Sequence, residues 1–149
     1  MKLNKASLFA LIAVLELASD PKQQKSTLDI ADKYGISTHH LAKIMRNLVH
    51  HGLVQAVRGV GGGYTFSGNA KRTTLLDVVM MFETLESVLD IPNDCITEER
   101  PIVAELQAIT NEIDNLTKVV LETITLETAC KSALQRSLAG ASSAKGGTR

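Results

Sequence analysis

Apolar and polar positions change period several times along this chain, and each change marks an element. Leu8, Leu11, Ile12 and Leu15 recur at helical spacing and predict a first helix over residues 4–19, with Asn4 or Ser7 as its cap. A polar connection, Asp20 to Lys25, follows. Leu28, Ile30 and Ala31 give a second helix from about Thr27 to Tyr34, capped by Ser26 or Thr27. Gly35 supplies the turn, Ile36 points inward, and Ser37 caps a third helix. That helix sets Leu41, Ile44, Met45 and Leu48 on one side. Its other side carries His39, His40, Lys43, Arg46, Asn47 and His50, and Gly52 ends it. The period then falls to two. Leu53 and Val57 flank Gln55, which predicts a short strand over 53–57. Arg58 and the run Gly59-Val60-Gly61-Gly62-Gly63 form a tip before a second strand, Tyr64 to Phe66.

Ser67-Gly68-Asn69 makes a turn, and Thr73 or Thr74 caps a helix predicted over 75–89. Its inner stripe is Leu75, Val78, Val79, Phe82 and Leu85. Residues 90–99 suit no regular element. A long helix then runs from about Glu99 to Thr123, with Pro101 in its first turn, where a missing N–H costs little. Ile102, Leu106, Ile109, Ile113, Leu116 and Val120 are spaced 4, 3, 4, 3, 4 along it. A row of that period can lie on its own domain, but its narrowness and length favour a seam between two chains. A short final helix is expected from Thr125 to about Leu138, and a disordered tail over 139–149.

Helix, turn, helix, strand, glycine tip, strand is the order of a winged helix-turn-helix, a unit that reads DNA. The predicted fold is therefore mainly α with a small two-stranded wing. Residues 1–74 form the DNA-binding domain, first helix included. Residues 75–138 hold the connecting helix, loop and dimerisation helix.

Charge sharpens the picture. The whole chain has a formal charge of zero, yet no acid lies between Asp32 and Asp77. Lys33, Lys43, Arg46, Arg58, Lys71 and Arg72 make that segment +6, and all four histidines fall within it. Such a surface suits a phosphate backbone. Residues 77–129 hold twelve acids and two bases, so the dimerisation half should turn away from DNA. Two copies on a two-fold axis would offer two reading helices to a palindromic site.

The runs IADKYGIS and GLVQAVRGVGGGY resemble the Rrf-two (BadM-type) family of bacterial transcription regulators. Ala56 replaces the family's common small polar residue and Val60 its common proline. His40 stands where the family often has tyrosine, and Ala42 where some members carry a base-reading glutamate. ITLETA resembles the segment after the family's long helix. The resemblance implies that Ser37, Thr38, His39, His40 and Lys43 face the major groove, with Arg46 on the same side. Arg58 works from the wing with Gly59 and Gly61. It also implies a homodimer on double-stranded DNA, acting as a repressor in the cytoplasm. A winged-helix module for protein contacts without DNA is the alternative, and the acid-free stretch speaks against it.

Many members of that family hold an iron–sulfur cluster on three cysteines in the loop before the long helix. This chain has Cys95 there and Cys130 far beyond, and clusters need about four protein ligands. No cofactor is expected. Cys95 is the candidate sensor thiol, although its acidic neighbours differ from the electropositive surroundings of reactive thiols. Cys130 reads as a small core residue. The pairs His39–His40 and His50–His51 diverge on a helix, and no metal site is expected of them. The glycine tip lacks the lysine and Ser/Thr of a phosphate loop, and no catalytic constellation is visible, so an enzyme is not expected. The N-terminus imitates a secretory signal, but Glu16 interrupts its apolar run. No run is long enough to span a membrane.

Overall fold

The computed structural model describes residues 2–95 and 100–144. Three helices and a hairpin come first: α1 (Lys5–Ser19), α2 (Thr27–Tyr34), α3 (Thr38–His50), β1 (Val54–Val57) and β2 (Gly63–Phe66). Then come α4 (Leu75–Met80), a 3-10 turn at Asn93–Cys95, α5 (Pro101–Thr123) and α6 (Leu126–Ala144). The architecture is mainly helical with one antiparallel two-stranded wing, as the residue pattern predicts.

The caps explain where the helices begin. The Asn4 side chain accepts from the Ser7 N–H, and Ser37 from the His40 N–H. Ser26 with Asp29, and Thr74 with Asp77, form reciprocal capping boxes. Gly35 ends α2 in the left-handed region at φ 63°.

The core is aliphatic. Ala10, Val14 and Leu17 of α1 pack with Ile30 of α2 and with Leu41, Met45 and Leu48 of α3. Val78 and Val79 of α4 and Leu126 of α6 close it from the other side. A small bridge seals this closure: Leu75 N–H donates to Ile124 O at 2.9 Å, and Leu126 N–H to Thr73 O at 2.9 Å. The chain after the long helix therefore returns to the first domain and docks on α1.

Four expectations need correction. The alternation of Leu53 and Val57 is not the strand's burial pattern. Leu53 and Val54 are both buried, while Val57 is exposed, because the strand leaves the core after one residue. The helix expected over 75–89 stops at Met80, since the following segment is captured by other parts of the chain. Glu83 accepts from the Asn4 N–H at 2.8 Å, and Asp114 accepts from Ser87 Oγ and the Val88 N–H at 2.6 and 2.9 Å. The disordered tail expected from 139 is helical through Ala144, where three alanines and only one glycine favour continuation; residues 145–149 lie outside the described ones. Cys130 is half-buried rather than a core residue, with its sulfur 3.6 Å from Ser19 Oγ at the end of α1.

The long helix begins at Pro101; its expected start at Glu99 falls outside the described residues. Its inner face is the row Val103, Gln107, Thr110, Asp114, Thr117 and Leu121, which is half to fully buried against its own chain. The neighbouring row, Ile102, Leu106, Ile109, Ile113, Leu116 and Val120, is exposed at 40–77%. Among the described residues, no helix is long and apolar enough to cross a membrane.

Candidate nucleic-acid interface

Helix α3 divides cleanly into two sides. Leu41, Ile44, Met45 and Leu48 are buried, which fixes the helix's rotation about its axis. His39, Lys43, Arg46 and His50 are left exposed as one stripe spaced 4, 3, 4. Ser37 and Thr38 are exposed at the helix's entry. His40 is placed differently: it is half-buried, and its ring meets Phe9 of α1 edge-on at 5.3 Å between centroids. Part of its surface is thus spent on packing.

The wing is built by its glycines. Gly59 and Gly61 hold φ values of 113° and 75°, in the region that side chains with a Cβ avoid. Gly62 N–H donates to Gly59 O at 2.9 Å, closing the turn. A Cβ on Gly62 would stand 2.7 Å from Val57 O, so the backbone is too close for any side chain. This geometry projects Val60 fully into solvent at the tip, with Arg58 exposed at its base. Lys71 and Arg72 are exposed just beyond the wing, in a turn where Asn69 O accepts from Arg72 and Thr73 N–H.

Not every base in the acid-free segment is free. Glu16 of α1 takes Lys25 Nζ at 2.6 Å and Lys33 Nζ at 2.8 Å on one oxygen, and the Tyr34 hydroxyl on the other. Lys33 is therefore partly neutralised, and the +6 count overstates the open charge. Burial pushes the Glu16 carboxyl up, but hydrogen bonds from Lys25, Lys33 and Tyr34 outweigh it and lower it to about 2. Burial, then the bond to Glu16, pushes the Tyr34 hydroxyl up.

Sequence reasoning missed Gln24 and Lys25, which hydrogen-bond to Gly61 and Tyr64 of the wing, and Glu16, which holds Lys25; it gave Val60 no role. One signal was present: a single carboxylate within an otherwise apolar helix, which has no reason to be there unless cations meet it.

Comparison with known proteins places this arrangement. The family model for Rrf2, described as an iron-dependent transcriptional regulator, matches residues 3–132. The chain belongs to the Rrf2 (BadM-type) family. It is 41% identical over 131 residues to an HTH-type transcriptional regulator, BadM, of Rhodopseudomonas palustris, spanning 88% of this chain and 82% of that protein. Among solved structures it is similar to CymR, the global cysteine regulator of B. subtilis, with a TM-score of 0.72 and 26% identity over 89% of this chain and 98% of that one. It is also similar to a transcriptional regulator from Listeria innocua, with a TM-score of 0.68 and 25% identity over 88% of this chain and 87% of that one. The Rrf2 chain is thus a transcriptional regulator, a class that binds DNA, and its relatives are not enzymes.

The iron named in the family description finds a poor donor set here. Cys95 sits in the 3-10 turn before α5 and Cys130 against the end of α1, and the chain has no third cysteine. No group of three or more His, Cys, Asp or Glu converges among the described residues. An iron–sulfur cluster usually takes about four ligands, most of them thiolates, against the two cysteines of this chain.

Proposed function

We propose that this Rrf2 protein is a sequence-specific repressor that binds a palindromic operator as a homodimer. The observation that carries the reading is the exposed stripe of His39, Lys43 and Arg46 on α3, next to a wing with Arg58 at its base and Val60 at its tip. A helix with such a stripe fits the major groove, and Ser37, Thr38 and the accessible edge of His40 lie at its leading end. Arg58, Gly59 and Gly61 form a slim, cationic tip suited to a minor groove or a phosphate. Pairing is supported by the exposed row on α5: apolar side chains at 3.5-residue spacing gain little in water and much against a second copy. A dimer seated on duplex DNA blocks access to it, which is the simplest route to repression.

The signal is proposed to act without a family-type cluster. Cys95, half-buried at the end of the Asn93–Cys95 3-10 turn, is the candidate thiol. The Cys95→Ser protein should keep its DNA in oxidant that releases DNA from the parent; equal release from both would remove this role. The test of the main reading is a gel shift on total genomic fragments at rising salt. Selective retention of a few fragments, weakening steeply with salt, is expected. Retention of none, or of all alike, would defeat it.

A further inference from the structure

The connection between α1 and α2 is tied to the wing by one antiparallel bridge, Lys25 to Tyr64. Lys25 N–H donates to Tyr64 O at 3.0 Å, and Tyr64 N–H donates to Lys25 O at 2.8 Å. Gln24 Nε2 donates to Gly61 O in the tip itself. The approach is so close that a Cβ on Gly63 would stand 2.5 Å from Lys25 O. The same Lys25 reaches back with its ammonium to Glu16, whose side chain is only 10% exposed. Glu16 also holds Lys33 and Tyr34 at the end of α2, the helix that packs on α3. One carboxylate thus joins the support of the wing to the support of the reading helix.

We propose that Glu16 is a positioning residue for DNA binding: through Lys25 it sets the wing's place relative to α3. The proposal rests on the DNA-binding reading above. Two ammonium groups converge on one carboxylate oxygen. Without its charge they repel, the connection loosens, and the wing loses its bridge to Lys25 while the aliphatic core stays intact.

A double-mutant cycle on the full chain tests this. The probe is the duplex that the wild-type protein selects most tightly from a random-sequence library. Glu16→Gln should weaken binding about tenfold, the scale of coupling inside one network. That loss should vanish in an Arg58→Ala background, where the wing's main contact is already gone. It should persist in full in a Lys43→Ala background. The Tyr64 amide should also exchange faster in Glu16→Gln while Leu41 stays protected. Lys25→Gln removes the same ion pair from the other side and should repeat the pattern if Glu16→Gln folds poorly. A folded variant that binds like the parent, or a loss that adds equally to both backgrounds, overturns the proposal and leaves DNA binding standing. Failure of the wild type to select any duplex overturns both.

Discussion

A methyl group on residue 63 would have nowhere to go, whereas one on residue 61 would meet open space at a φ of 75°. The two glycines of one run are thus required for different reasons. Gly61→Ala should cost about 1 kcal/mol, from backbone conformation alone. Gly63→Ala should cost about 3 kcal/mol, because Lys25 must be driven off β2. Thermal melts of the two variants should keep that order. Glu16 gives a second residue-scale expectation. Its folded carboxyl lies at about 2, below its ordinary 4.5, so the ion cluster's stabilisation is present above 4.5 and is lost as pH falls towards 2. After screening at the exposed Lys33, this amounts to about 2 kcal/mol. The difference in stability between wild type and Glu16→Gln should be flat above pH 5 and shrink below it. At this scale the glycine tip was legible in the sequence, since a run of glycines signals close backbone approach. Glu16 stood out as the one acid of α1, but its partners were not legible, because they lie 9 to 18 positions away and only the fold brings them together.

Helices that carry their own caps and a full apolar stripe were legible as elements. Helix α2 starts and stops where Ser26 and Gly35 direct, and α3 starts at Ser37 and ends just before Gly52, which holds φ 75°. Helix α4 was misread because its apolar pattern continues to Leu85, while its turn closes at Glu83, whose N–H donates to Val79 O at 3.1 Å. Asp114 supplies the competing attraction: it holds Ser87 and Val88 against α5, and those bonds keep its carboxyl below the usual range. Asp114→Ala should free that segment, which hydrogen exchange would register as faster exchange at the Val88 amide. Unchanged exchange there would mean that the segment's path is set elsewhere. The final helix failed in the opposite direction. Residues 139–144 are small and exposed, which reads as tail, but alanine needs no contacts to stay helical once a docked helix precedes it.

Across the whole molecule, two exposed surfaces of opposite character lie on separate elements. The cationic stripe of α3 with the wing belongs to the first half of the chain, and the apolar row of α5 belongs to an acidic second half. The inner row of α5 is already spent on its own chain, with Thr110 fully buried, so the outer row is free to meet another copy. Pairing there, as proposed, would double the cationic surface offered to one duplex. Salt dependence measures that doubling, because each neutralised phosphate releases counterions and steepens the slope of log affinity against log salt. Ile109→Glu with Ile113→Glu places four carboxylates in a two-fold seam, since each copy contributes both. The variant should sediment as a monomer that still melts cooperatively, because neither side chain enters the core, but at a lower temperature than the paired parent. Its affinity for the selected duplex should fall by a factor of about 100 or more, the loss expected when one of two linked contacts is removed. Its salt slope should fall to about half, since half the phosphate contacts remain. A monomer that kept the parent's slope would mean that one copy makes every contact. A dimer that survived both charges would place the seam on another face.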